Sequence, residues 1–302
     1  MTDSVRTRER SERMRRLRQA RHRAPAEREN FGRGFAALGD LAYEGAQVSA
    51  KIMDLDTGRV LMAVDDRIVL PTASIGKILL LVEVSARMTA RDPSAFAVLD
   101  KTARDSVGDS GVWQHLQATS FSVPDLAALI AATSDNLATN VLLRHVGLEA
   151  VRARGEEMGL MRTALLDLVR DSRGPDDAPQ LSVGSTAELA WLFGALANNQ
   201  VVDSLTSARV LAWLSLNTDL SMVASAFGLD PLAHRGADHR TLLVNKTGTD
   251  TGVRAEAGVV RGRRAAAAYA VSVQFSDDDI GARLRVLEAM RTIGMDLLEY
   301  VH

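Results

Sequence analysis

The stretch that most constrains how this chain folds is an apolar segment, residues 78–84, that follows closely on Pro71. The segment is apolar on nearly every side of a helix, and a helix of that kind is buried inside a domain. Pro71 cannot lie in a helix interior, and the hydroxyls of Thr72 and Ser74 can cap a helix. We therefore predict that a buried helix begins here and that the chain is arranged around it.

Ser74 and Lys77 stand at the start of this helix, three residues apart, so they share a helix face and can touch. A hydroxyl is a poor nucleophile alone, but a neighbouring amine can take its proton. The amine must be neutral to do so, and burial lowers the pKa of a lysine. The free N–H groups of a helix N-terminus also suit a developing oxyanion. Ser-x-x-Lys fixes only two positions of four, so other parts of the chain must decide whether it is catalytic.

Composition narrows the class of protein. The 302 residues are 46% apolar and 25% charged, as in soluble globular proteins, and the net charge of −2 does not favour nucleic acid as a partner. The absence of cysteine excludes disulfides and thiolate catalysis. The histidines show no metal-ligand spacing and no dinucleotide fingerprint occurs, so we expect no metal and no cofactor. No apolar stretch is long enough for a membrane span.

Residues 1–30 differ from the rest, with ten arginines against five acids. We interpret them as a basic, solvated N-terminal arm, with a nucleic-acid or partner-binding arm as the alternative. Arg15 and Arg16 resemble a twin-arginine start, but no hydrophobic segment follows them. We therefore expect a cytoplasmic protein, exported only by a non-standard route or if the start is misassigned, with Met14 as a candidate start.

Residues 31–302 predict an α+β domain, with one antiparallel sheet, flanking terminal helices and an inserted all-helical lobe at about residues 93–230. Alternating patterns predict strands at 47–53, 59–64, 241–246, 254–261 and 269–275, the first two forming a hairpin. Helical patterns predict helices at 31–41, 123–132, 136–145, 148–158, 186–198 and 204–214, and a closing helix from 280 capped by Ser276 or Asp277. The groove between sheet and lobe is the expected place for a site.

Two later motifs can supply chemistry to the serine. Residues 134–136 read Ser-Asp-Asn between two predicted helices, where Ser134 can relay a proton and Asn136 can hold a carbonyl. Residues 246–248 read Lys-Thr-Gly at the end of a predicted strand, where Lys246 can attract a carboxylate. Taken alone, the first is an ordinary helix cap and the second an ordinary turn.

The three motifs, in this order, resemble those of the β-lactamase and penicillin-binding protein superfamily, and the resemblance to its class A β-lactamase branch covers about residues 45–301. Residues 111–114 and 125–140 add to it. The resemblance implies a serine hydrolase that acts on a small molecule, a β-lactam or a related amide or ester. Ser74 would be the acylated nucleophile and Lys77 its base or proton relay. Ser134 would pass a proton to the leaving nitrogen, and Asn136 would hold a substrate amide.

The resemblance also implies how substrate is bound. Lys246 and Thr247 would bind its carboxylate, and Gly248 would let the backbone approach closely. The N–H groups of Ser74 and Thr249 would form the oxyanion hole. Arg254, eight residues after Lys246, would add a second positive charge, or it is a surface arginine of the strand.

One part of the class A pattern is missing, the glutamate of Glu-x-x-Leu-Asn that activates the deacylating water. Residues 165–177 contain no glutamate, and Asp171 is the candidate substitute. Its side chain is one methylene shorter, and a misplacement of about 1 Å can cost about 100-fold in rate. Alternatively, Asp171 pairs with Arg170 or Arg173. The missing glutamate leaves three possibilities: a slow β-lactamase, a penicillin-binding-type or esterase-like enzyme, or a binding protein that is acylated without turnover. Its sequence does not indicate an oligomeric state.

Overall fold

The computed structural model describes residues 31–236 and 238–302. The predicted basic arm, residues 1–30, lies outside them. The strands are β1 Gln47–Asp54, β2 Val60–Val64, β3 Leu70–Pro71, β4 Val98–Asp100, β5 Ser120–Ser122, β6 Ala164–Leu165, β7 Ser182–Gly184, β8 Leu242–Asp250, β9 Val253–Arg261 and β10 Ala266–Gln274. The α-helices are α1 Gly32–Tyr43, α2 Lys77–Thr89, α3 Val123–Thr133, α4 Asn136–Val146, α5 Leu148–Glu157, α6 Thr186–Ala197, α7 Ser204–Leu214 and α8 Ile280–Val301.

The main sheet has the strand order β2-β1-β10-β9-β8, and every neighbouring pair is antiparallel. This confirms the predicted α+β class and the predicted sheet. The last strands differ from expectation in one respect, because β8 does not stop at Lys246. It pairs with β9 from Leu242 opposite Arg261 to Asp250 opposite Val253, so Lys-Thr-Gly lies inside a strand that is held along its whole length.

Alternate residues along the sheet strands pack into two separate hydrophobic cores. Tyr269 and Val271 of β10 pack in a cluster with Leu38 of α1 and Ile293 of α8. Ala270, between them in sequence, belongs to a second cluster with the helical lobe. The period of two along a strand places these neighbours on opposite faces. The terminal helices therefore cover one face of the sheet, and the inserted lobe covers the other.

The buried helix α2 is the centre of the second cluster. Its residues 77–86 are all buried, and it contacts α3, α4, α5 and α7. This agrees with the prediction that a helix apolar on nearly every side lies in the middle of a domain. Among the described residues no helix is both long and apolar enough to cross a membrane.

The short strands β3 to β7 were not predicted from the sequence. β4 pairs with β5, and β3, β7 and β6 form a small sheet beside the Ser74 turn. Each has only two or three residues, too few for an alternating pattern to show. The region 93–230 is therefore mostly helical but is not all-helical.

Two predicted helix caps are wrong. A 3-10 turn, Ala73–Gly76, precedes α2, and neither Thr72 nor Ser74 caps a helix with its side chain. The hydroxyl of Thr72 instead lies 2.7 Å from Ser182 Oγ, where a tertiary contact replaces the local one. The last helix is capped by Asp279, which accepts from Ala282 N at 2.8 Å, rather than by Ser276 or Asp277.

Candidate active site

Ser74 lies on the 3-10 turn between β3 and α2. The preceding residue, Ala73, has a φ of +45°, in the left-handed region that a residue with a Cβ rarely adopts. Ser182 of β7 holds this conformation, because its hydroxyl donates to Ala73 O at 2.6 Å and its carbonyl accepts from Thr72 N at 3.1 Å. The turn that carries the serine is thus fixed by a strand more than a hundred residues later.

Two glycines allow neighbouring strands to reach this turn. A Cβ on Gly248 of β8 would lie 2.1 Å from Thr72 O, and one on Gly76 would lie 2.3 Å from Ser182 Cβ. Both distances are far below van der Waals contact, so only glycine fits at either position. Gly248 therefore makes the close backbone approach that the Lys-Thr-Gly motif predicts, and it brings Thr247 and Thr249 to the serine.

Lys77 is fully buried below the turn. Its ammonium donates to the carbonyl of Ser134 at 2.7 Å, to Ser134 Oγ at 3.2 Å and to Asn136 Oδ1 at 2.7 Å. Burial, with the nearby charge of Lys246, holds the pKa of Lys77 well below its usual value, although Asp135 opposes this. A lysine in this environment can be neutral and can act as a base.

Ser134 is placed by the junction between two helices. It ends α3 in the left-handed conformation, with φ 56° and ψ 34°, and Asp135 then caps α4 by accepting from Ala138 N at 2.9 Å. The other oxygen of Asp135 accepts from the N–H groups of Val112 and Trp113, both at 2.8 Å. The aspartate of Ser-Asp-Asn therefore has a structural role, since its two oxygens hold the helix junction that positions Ser134.

The Ser134 hydroxyl joins the two lysines. Lys246 is fully buried in β8 and donates to Ser134 Oγ at 3.2 Å, the same distance as Lys77. Burial lowers the pKa of Lys246 to about 8, and the charge of Asp219 opposes the shift. The amine of Lys77, the hydroxyl of Ser134 and the amine of Lys246 thus form one continuous polar path.

Ser74 and Ser134 open into one cavity of about 310 Å³. Thr247 and Thr249 of β8 also line it, which brings together four predicted site residues. The remaining lining residues were not identified from the sequence: Ser110, Ala132, Thr133, Asn217, Thr218 and Asp219. Ala132 and Thr133 come directly before the Ser-Asp-Asn motif, whereas no motif marks Ser110 or residues 217–219, and only the folded chain places these beside Ser74.

Of the predicted site residues that do not line this cavity, Asn136 and Arg254 are held by contacts of their own. Asn136 is behind it, with Oδ1 on Lys77 and its amide nitrogen donating to Gly108 O at 3.1 Å. Arg254 donates to the carbonyls of Asp250 and Val253, both at 2.8 Å. Burial lowers the pKa of Arg254, and the charge of Asp277 opposes this.

Asp171 lines a neighbouring cavity, with Lys101 and Gly108, instead of the one that contains Ser74. Its carboxylate accepts from Gly108 N at 2.8 Å. The expectation that Asp171 pairs with Arg170 or Arg173 is wrong, since both arginines bind another carboxylate.

That carboxylate belongs to Asp167, which receives Arg170 at 2.8 Å and Arg173 at 2.7 Å. Although burial opposes it, these contacts and the N–H of Leu168 hold the pKa of Asp167 below its usual value. Asn140 adds two bonds to the same loop, one to Val169 O at 3.0 Å and one from Val169 N at 2.9 Å. The loop is therefore fixed beside the site without a glutamate.

The fold and this arrangement of serine, lysine and second serine define an active-site serine hydrolase. A family model described as the β-lactamase enzyme family matches residues 33–301. The chain belongs to that family. A comparison with curated proteins found no match.

Solved structures share the fold. A β-lactamase from Sphaerobacter thermophilus DSM 20745 is 22% identical, with 90% of this chain and 97% of that chain covered and a TM-score of 0.77. PBP-A is 18% identical, with coverages of 89% and 95% and a TM-score of 0.73. A β-lactamase from Xanthomonas campestris pv. campestris is 17% identical, with coverages of 90% and 98% and a TM-score of 0.74. A leucine-to-glutamate variant of PBP-A is known as its acyl-enzyme complex with penicillin G.

Proposed function

We propose that Ser74 is acylated by β-lactams or by related amides and esters, and that the acyl-enzyme is released slowly. The observation that carries this proposal is the buried amine of Lys77, which bonds to Ser134 Oγ at 3.2 Å beneath the cavity that contains Ser74. A neutral amine next to a hydroxyl nucleophile is the usual requirement for serine acylation without histidine.

Acylation then follows in two proton transfers. The neutral amine of Lys77 takes the proton of Ser74 as Oγ attacks the carbonyl carbon, and the N–H groups of Ser74 and Thr249 receive the oxyanion. Ser134 gives its proton to the leaving nitrogen as the amide bond breaks, and the ammonium of Lys77 restores that proton. In the free protein the amine bonds to Ser134 and Asn136, and substrate would draw Ser74 into the same network.

Residues of β8 at the edge of the cavity orient the substrate. Lys246 supplies the positive charge for a substrate carboxylate, and the Thr247 hydroxyl, in the cavity wall, donates to the same group. Binding the carboxylate there places the reacting carbonyl above Ser74, next to Thr249. The proposed roles of these residues are thus mutually consistent in space.

Slow release is favoured by the placement of Asp171. Deacylation needs a base that activates water beside the ester of Ser74. The Asp171 carboxylate is bound to Gly108 N at 2.8 Å and lines a different cavity. Acylation by penicillin G is also known for a structural relative, the leucine-to-glutamate variant of PBP-A. We therefore infer penicillin-binding behaviour with little turnover.

Intact-mass measurement after addition of benzylpenicillin tests this proposal. We expect an adduct of the mass of the penicillin in the wild type, none in Ser74→Ala, and unchanged persistence in Asp171→Asn. Ser172→Ala is the matched control. Ser172 is the next residue of the same loop, and its loss should leave acylation of Ser74 unchanged. Absence of an adduct with penicillins, cephalosporins and activated phenyl esters would contradict acylation. Loss of the adduct within seconds would contradict slow release, and dependence of that loss on Asp171 would restore the catalytic role predicted for it.

A further inference from the structure

Asp219 places a carboxylate in the wall of the Ser74 cavity that the proposed mechanism does not use. It lies in the segment after α7, and its backbone carbonyl accepts from Asn217 Nδ2 at 3.0 Å. Its Oδ1 accepts from Ser221 N at 3.1 Å and from Ser221 Oγ at 2.6 Å. These bonds fix the position of the carboxylate, and among the described residues it forms no ion pair.

The charge of Asp219 reaches the group that would bind a substrate carboxylate. It is the negative charge that opposes the loss of the Lys246 proton. The other candidate cation, Arg254, donates through Nη1 to the carbonyls of Asp250 and Val253, lies over the ring of Phe275 at 5.9 Å from its centroid, and does not line the cavity. Asp219 therefore lies in the cavity wall together with Thr247, the neighbour of Lys246, and its negative charge acts on the buried amine of Lys246 behind that wall.

A simple carboxylate is not the best partner for such a pair. It gains from Lys246 and is repelled by Asp219, and both terms act in the same part of the cavity. A substrate with a cationic group next to its carboxylate satisfies both residues. We propose that Asp219 is a specificity-determining residue that favours substrates carrying a positive charge beside the carboxylate. This inference rests on the function proposed above and adds the class of substrate.

Two cephalosporins with the same thienylacetamido side chain provide the test. Cephaloridine carries a cationic pyridinium group next to the carboxylate, and cephalothin carries a neutral acetoxy group there. The second-order acylation constant is measured for each, and the ratio of cephaloridine to cephalothin is compared between variants. We expect the ratio to fall about threefold in Asp219→Asn, the size of a partly exposed ion pair. The wild-type ratio should also fall as salt is raised, because salt screens that pair.

The matched control is Asp125→Asn. Asp125 is also a carboxylate that accepts from a serine hydroxyl, Ser122 Oγ at 2.6 Å, but it lies outside the cavity of Ser74. Its ratio should equal that of the wild type. An unchanged ratio in Asp219→Asn, or an equal fall in Asp125→Asn, would overturn the specificity role while acylation itself persists. Failure of both cephalosporins to acylate the wild type would overturn the proposed function and this inference together. If Asp219→Asn does not fold, a wild-type ratio that is independent of salt overturns the inference.

Discussion

Lys77 and Lys246 are two buried lysines with opposite requirements. Lys77 must be neutral to accept the proton of Ser74, whereas Lys246 must be charged to attract a carboxylate. Burial lowers the pKa of both, well below the usual value for Lys77 and to about 8 for Lys246. The charge of Lys246 also disfavours a proton on Lys77, so a charged Lys246 favours the neutral, basic form of Lys77.

This arrangement predicts a bell-shaped dependence of the acylation rate on pH. As pH rises through the lowered pKa of Lys77, its amine becomes neutral and the rate increases. As pH rises past about 8, Lys246 loses its charge and the rate for benzylpenicillin decreases. The acylation rate is measured at each pH by quenching the reaction at set times and determining the acylated fraction by mass spectrometry. An activated ester without a carboxylate is the control. Its acylation rate should rise with pH as Lys77 becomes neutral, but it should not fall above about pH 8, because it does not need the charge of Lys246. A rate that is flat between pH 6 and about 10 would contradict these roles.

At single residues, the sequence motifs identified side chains that the fold brings close together, and they missed side chains that only the fold makes neighbours. Two of the motif residues, Lys77 and Ser134, are joined in the structure by hydrogen bonds of 2.7 and 3.2 Å, and Ser74 shares a cavity with Ser134. Asp219 could not be found in this way. It belongs to a Thr-Asp-Leu segment that is typical of any turn, and its function depends on β8 lying beside it.

The β7 strand illustrates what a short element can do for the site. It has three residues, Ser182–Gly184, and its pairing with β3 brings the Ser182 hydroxyl to Ala73 O and Thr72 Oγ1. Holding Ala73 at a φ of +45° costs about 1–3 kcal/mol. The contacts from β7 offset that cost and fix the direction of the next residue, Ser74.

We predict that Ser182→Ala lowers the acylation rate about tenfold, because a small displacement of the nucleophile is costly. It should also lower the free energy of unfolding by about 1–2 kcal/mol, since two buried partners lose a hydrogen bond. Ser207→Ala is the matched control. Ser207 is fully buried and bonds to the N–H and carbonyl of Val201, both at 3.0 Å, away from the site. Its loss should reduce stability without changing the acylation rate, and an equal rate loss in both variants would contradict the role of Ser182.

Elements with a clear period were predictable, and elements set by tertiary contact were not. The five strands of the main sheet and the helices of the lobe follow from alternation and helical spacing. β7 did not, since a three-residue strand has no period to detect. The continuation of β8 through Gly248 was also missed, because a glycine after a lysine and threonine reads as a turn. Pairing with β9 overrides that local preference.

Glu256 connects several elements through one buried carboxylate. Located on β9 and fully buried, it accepts from Tyr269 Oη of β10 at 2.6 Å, from Asn245 Nδ2 of β8 at 2.9 Å and from Ala224 N at 3.3 Å. Asn245 in turn accepts from Asn217 in the wall of the Ser74 cavity at 2.8 Å. Burial raises the pKa of Glu256 to about 7, although the hydrogen bond from Tyr269 opposes the shift.

The raised pKa of Glu256 predicts how the stability of the whole domain depends on pH. Between the ordinary glutamate value and about 7, the folded protein keeps a proton that the unfolded chain has lost, so stability decreases as pH rises through this window. The total decrease is about 3 kcal/mol, since each pKa unit corresponds to about 1.4 kcal/mol. Urea unfolding at several pH values measures the free energy of unfolding of the wild type and of Glu256→Gln. Taking the difference between the two proteins removes the contribution of groups that titrate alike in both, such as Lys77.

In Glu256→Gln the glutamine does not titrate, so relative to the wild type its stability should gain with pH across this window and then level off above about pH 7. Asp296→Asn is the control for a buried carboxylate-to-amide change, since Asp296 binds Arg33 at 2.7 Å in the contact between α1 and α8. The difference between Asp296→Asn and the wild type, measured at the same pH values, is the baseline against which the pH dependence of the Glu256→Gln difference is judged. A constant difference for Glu256→Gln would show that the network holds a permanently charged carboxylate, and the coupling from β9 to the cavity wall would then be independent of pH.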